Sequence, residues 1–110
     1  MKVAYIFMSD HAREILENMI LPQMEAGIHG AEVAGMVFFF DNTYMLHKDS
    51  EIAKRLAALS EKNGMMLVGC DYCCRQRGIE NDLIFPAGIG CFPNIYPALE
   101  TVKPDQVITL

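Results

Sequence analysis

The chain has 110 residues, 52% of them hydrophobic and 21% charged, with no low-complexity run and no Gly/Ser-rich or Pro-rich linker, which excludes a disordered or fibrous protein. One domain spanning residues 1–110 is expected. Nine Lys and Arg against fourteen Asp and Glu give a net charge of -5, and the basic residues are scattered apart from Arg75 and Arg77, so no direct nucleic-acid partner is expected.

The start, MKVAYIFMSD, is a short apolar run that turns polar. It has neither a small-residue cleavage site nor an apolar stretch approaching about 18 residues, so no membrane association and a cytoplasmic location are expected. Residues 2–8 form the first strand-length run. Next, Ile15, Leu16, Met19, Ile20 and Met24 recur at helical spacing, with Ser9 or Asp10 available as N-cap and Gly27 or Gly30 as the stop. Pro22 kinks this helix or ends its first part. AEVAGMVFFF (31–40) is the second strand, and DNTYMLHKD follows it as a loop. DSEIAKRLAALSEKNG sets Ile52, Leu56 and Leu59 on one helical stripe, capped by Asp49 or Ser50 and ended by Asn63-Gly64.

MMLVGC (65–70) is the third strand, followed by a short helix over 71–77 that Gly78 stops. LIFPAGIG (83–90) is the fourth, PNIYPALETV a brief helix and DQVITL (105–110) the last strand. Apolar runs that are continuous rather than alternating indicate strands covered on both faces. The order β-α-β-α-β-α-β-α-β therefore implies a three-layer α/β/α sandwich around a mostly parallel five-stranded sheet, flavodoxin-like in style, with ligand chemistry at the carboxyl ends of the strands.

Cys70 stands at one of those ends, within LVGCDYCCRQRG. A sulfur there faces the unpaired amides of the next helix, which favour thiolate, the nucleophilic form of cysteine. Cys70 and Cys73 have the C-x-x-C spacing of a redox pair, without thioredoxin-like flanks. Cys91, in PAGIGCFPN, lies in a tight loop at the end of the fourth strand, where it is either a resolving thiol or a small buried hydrophobe. Together Cys70, Cys73, Cys74 and Cys91 offer four thiolates to zinc or an iron–sulfur cluster, although adjacent Cys73 and Cys74 point to different sides of a helix. Arg75 and Arg77 either add positive potential beside the thiol or form a solvated face. Asp41, Asn42 and Tyr44 follow the second strand on the same carboxyl edge, to wall the thiol pocket, meet a neighbouring subunit or simply turn the chain. The eight Met fill the core, and His11, His29 and His47 have no metal-ligand spacing. The lone Gly88-x-Gly90 lacks the rest of a phosphate-binding fingerprint.

Three features together resemble the DsrE/DsrF-like family of small sulfur-relay proteins, which includes TusD-type subunits. They are the apolar first strand, AEVAGMVFFFDNTYML, and LVGCDYCCRQRGI with its strand-ending Cys and Arg-Gly-Ile close. The final segment GIGCFPNIYPALETVKPDQVITL resembles the family's last loop, helix and edge strand. The resemblance implies a homo- or hetero-oligomer such as a trimer or hexamer, and a persulfide carried on Cys70 as a sulfurtransferase-type carrier. It implies sulfur donor and acceptor proteins as partners, and no cofactor is expected. The extra Cys73, Cys74 and Cys91 depart from the family's single carrier thiol and leave a metal-binding or thiol-redox module, or a non-catalytic oligomeric scaffold, as alternatives.

Overall fold

In the computed structural model, which describes residues 1–110, five apolar stretches become the strands β1 (Lys2–Phe7), β2 (Glu32–Phe38), β3 (Met66–Cys70), β4 (Gly88–Gly90) and β5 (Gln106–Thr109). They lie in one sheet in the order β4-β3-β2-β1-β5, and every neighbouring pair is parallel. The expected α/β architecture is therefore present, with the sheet parallel throughout.

This order fixes the layers. From β1 to β4 the chain steps across the sheet in one direction, and right-handed crossovers place the intervening helices on one face. The last crossover runs back past β1, so its helix falls on the other face. On the first face lie α1 (Ala12–Ile15), a π turn (Leu16–Ile20) and α2 (Leu21–Glu25) in continuous succession, followed after β2 by α3 (Glu51–Asn63). They bury a core of 17 residues, among them Phe7, Leu16, Leu21, Met36, Phe38, Ile52 and Leu56. A two-pronged ion pair, Arg55 donating to Glu25 at 2.9 and 2.6 Å, ties α3 to α2 and holds the Glu25 carboxyl below its usual range. The opposite face is thinner: α5 (Phe92–Val102) packs Ile95 over Val37, Phe39, Cys70 and Cys73, a cluster of only five buried residues, with Leu99 partly buried against it.

Local chemistry explains where expected and observed boundaries part. Ser50, not Asp49, caps α3 by accepting the Ala53 amide, and Gly64 ends it at φ 76°. His11 takes the N-cap position of α1, while Ser9 Oγ accepts the His11 amide one step earlier. Pro22 sits in the first turn of α2, directly after a π turn that divides the expected first helix just before it, so the first part ends ahead of the proline and the chain continues helical through it. The loop after β2 is a 3-10 helix, Phe40–Leu46. The fourth strand is only three residues long, because Leu83 is diverted into an antiparallel bridge with His47 and Pro86 has no amide for a ladder.

Leu56 is wholly buried in the larger core. Leu56→Ala is expected to lower the unfolding free energy by about 2–5 kcal/mol, read as a drop in the urea midpoint at constant slope.

Candidate functional site

Parallel pairing aligns Val68, Gly69 and Cys70 of β3 with Gly88, Ile89 and Gly90 of β4, and both strands stop at that rung. Cys70 becomes the N-cap of α4 (Asp71–Gln76), and Cys91 the N-cap of α5. Two cysteines 21 positions apart in sequence thereby stand on adjacent strand ends. Asn94 Oδ1 accepts the Cys91 amide at 3.0 Å and holds the start of α5 in place. Gly90 is required here: a Cβ at that position would fall 2.8 Å from Asn94 Cβ. The sulfurs of Cys70 and Cys91 and a carboxylate oxygen of Asp71 all lie within 4.8 Å of one another.

The four thiols sit in different surroundings. Cys70 is 4% exposed, Cys73 2% and Cys74 0%, whereas Cys91 is half-buried and reachable from solvent. Cys73 packs with Cys70 under α5, close enough for the two thiols to interact. Cys74, one residue on, turns to the opposite face of the sheet, where its sulfur lies against Gly69, beside Leu46. The four cysteines of the metal alternative are thus not gathered round one point; the set that converges replaces Cys73 and Cys74 with Asp71.

Burial raises the Cys70 thiol above its ordinary value, and the amides of Cys73 and Tyr72, which favour the anion, reduce the effect without reversing it. The sequence expectation that helix-start amides would make thiolate the resting form therefore meets a larger opposing desolvation. Burial likewise pushes Cys74 up to about 11, with the neighbouring sulfurs adding to the effect and the Thr43 hydroxyl opposing it.

Neither arginine is a free cation. Arg75 Nη1 donates to Asp71 Oδ2 at 2.7 Å, one turn back on α4, and holds that carboxyl below its usual range. Arg77 donates to Asp41 at 2.8 Å and to the Cys73 carbonyl at 3.1 Å, linking the end of α4 to the 3-10 helix. Asp41, Asn42, Tyr44 and Arg77 line a cavity of about 400 Å³ at the carboxyl ends of β1 and β2, together with Ser9 and Asp10. No cysteine lines this cavity. Phe39, at the end of β2, is the residue from that segment that packs with Cys70 and Cys73. Asp71 was not among the candidates read from the sequence; the signal that points to it is its i,i+4 spacing to Arg75 directly after the strand-end cysteine.

No protein-family model and no curated protein matches this chain. Solved structures do. The chain is similar to the ychN protein from E. coli, with a TM-score of 0.69 at 17% identity over 99% of this chain and 97% of that one. It is similar to MTH1491, a protein of unknown function from Methanobacterium thermoautotrophicum, with a TM-score of 0.66 at 16% identity over 97% and 96%. A third likeness is to BT1422, a conserved protein of unknown function from Bacteroides thetaiotaomicron, with a TM-score of 0.64 at 12% identity over 99% and 94%. At these identities the likeness establishes the fold.

Two outcomes follow from the thiol surroundings. Under brief treatment with iodoacetamide at neutral pH, Cys91 is expected to be modified first and Cys74 last, as read by peptide mass mapping. A folded-state pKa above the unfolded one contributes stability below the unfolded value and loses it as pH rises through the folded value. For Cys74 that window runs from 9.0 to about 11, so stability is expected to fall by about 2 kcal/mol across it, a loss that Cys74→Ala removes in pH-dependent thermal unfolding.

Proposed function

We propose that this protein is a cytoplasmic persulfide carrier of the DsrE/DsrF-like kind, with Cys70 as the acceptor of sulfane sulfur. The observation that carries the proposal is the position of Cys70: a buried thiol at the carboxyl end of a central parallel strand, at the first turn of a helix, with two further thiols beside it. The chain contains no helix long and apolar enough to cross a membrane.

In the loading step, Cys70 sulfur attacks the outer sulfur of a donor protein's persulfide. The Cys70–sulfur bond forms, the donor's sulfur–sulfur bond breaks, and the proton lost by Cys70 ends on the departing donor thiolate. No external oxidant or reductant is consumed. Burial keeps Cys70 protonated at rest, and the nearby amides of Tyr72 and Cys73 lower the cost of the anion as it forms. An acceptor thiolate then attacks the outer sulfur and regenerates Cys70. Alternatively, Cys91 or Cys73 attacks the inner sulfur, forming a disulfide with Cys70 and releasing hydrosulfide; a dithiol reductant resets the pair.

Donor and acceptor must approach over the carboxyl edge, where Tyr72, Phe40, Phe92 and Tyr96 are exposed. Exposed Phe92 stacks on buried Phe39 at 5.5 Å and on exposed Tyr96 at 6.1 Å, so Phe92 and Tyr96 offer an anchored aromatic patch suited to a protein partner. The same proposal includes assembly into a homotrimer or homohexamer. The thin covering of the α5 face, with Val107 and Tyr96 exposed, supports it.

Native mass spectrometry after incubation with a low-molecular-weight persulfide tests both parts. The wild type is expected to gain one sulfur per chain and to appear as a multiple of three chains, while Cys70→Ser gains none. Equal gain in Cys70→Ser, or none in either protein, would overturn the carrier proposal.

A further inference from the structure

We propose that Cys70, Cys91 and Asp71 form a zinc site with one open coordination position. The proposal rests on three donor atoms converging from two separate elements, and does not depend on sulfur transfer. Two of the donors precede and open α4, and the third opens α5; the β3–β4 ladder holds both starts side by side. In a tetrahedral site with zinc–sulfur bonds of about 2.3 Å, two sulfurs stand about 3.8 Å apart. The three donors already lie within 4.8 Å of one another, so shifts of about 1 Å or less close them on a common centre.

The chemistry of the donors selects the ion. Two thiolates and a carboxylate suit a borderline-soft divalent metal, whereas magnesium and calcium require oxygen ligands. Zinc binding breaks two S–H bonds and forms two zinc–sulfur bonds, and both protons pass to solvent. The donors then carry three negative charges against the two positive charges of zinc. Arg75, hydrogen-bonded to Asp71 Oδ2, neutralises the remainder and orients the carboxylate, as groups behind a metal ligand commonly do. Cys70 closes the buried side of the site, while Asp71 and Cys91 are half-exposed, leaving the fourth position toward solvent for water or a substrate thiolate.

Cobalt(II) titration of the reduced, metal-free full chain tests the site, because thiolate coordination gives cobalt a charge-transfer absorption in the near ultraviolet. Competition with zinc gives zinc affinity, and native mass spectrometry counts the ions. One ion per chain is expected. Cys91→Ser and Asp71→Asn are each expected to weaken binding by at least about tenfold, the smallest loss usual even for a group behind a ligand, Cys91→His to restore zinc affinity, and Cys74→Ser to change nothing. Circular dichroism identifies any variant that fails to fold, and Asp71→Asn, a surface isostere, keeps the test readable in that case. Absence of the absorption, undiminished binding in Cys91→Ser or Asp71→Asn, or an equal loss in Cys74→Ser would overturn the proposal. Sulfur loading on Cys70 is unaffected by Cys91→Ser, so the metal site and the carrier proposal fail separately.

Discussion

The parallel pairing of β3 with β4 is the contact on which the site depends. It is a short ladder, three rungs long, and its last rung joins Cys70 to Gly90. Both helices that carry the chemistry begin at that rung, so the relation between the Cys70 and Cys91 sulfurs is set by backbone hydrogen bonding and strand spacing rather than by flexible side chains. The same pairing makes a glycine necessary at position 90, because the start of α5 folds back on the strand end and Asn94 occupies the space a side chain would take. An all-parallel sheet also collects every strand's carboxyl end on one edge, which is why the strand-end thiols and the 400 Å³ cavity share that edge.

The order of the strands has an unequal result for the two faces. Helices on one face enclose a large apolar core, while a single helix of 11 residues covers the other. Rigidity and access are thereby divided: the well-filled side holds the sheet, and the thinly covered side contains Cys70, Cys73 and the approach to Cys91. Arg77 joins the end of α4 to the 3-10 helix through Asp41 and the Cys73 carbonyl, and Arg75 stays local to α4. The two arginines look equivalent in sequence, but they serve different contacts.

Much of the fold was legible because strand and helix runs in this chain are long and apolar relative to their breaks. Each of the five strands falls within its expected run, and Gly64 and Gly78 end their helices with positive φ. Leu83 and Ile84 look like strand residues and lengthen the expected fourth strand, yet Leu83 is engaged by His47 across the chain, a pairing that periodicity cannot reveal. The position of Cys70 at a strand end was legible from the apolar run that precedes it. The nearness of Cys91 was only suggested by loop composition, since it depends on strand order. The protonation of Cys70 was not legible, because it turns on whether burial or amide dipoles dominate, and burial is a property of the packed molecule. Asp71 carries no sequence signal of its own, because an acidic residue in the first turn of a helix is ordinary and gains its interest only from the sulfur of a distant loop.

Cys73 and Cys74 are neighbours in the chain but occupy opposite sides of it, one beneath α5 and the other against Gly69 and Leu46. Cys74 has no exposed surface, so a reagent can reach it only when the packing around α4, Gly69 and Leu46 opens. When closing is faster than labelling, the ratio of its labelling rate to that of a free thiol equals the population of the open form. The chain thus contains its own stability gauge: a single sulfur, set apart from the chemistry at Cys70, through which the free energy of opening is measurable under native conditions without denaturant.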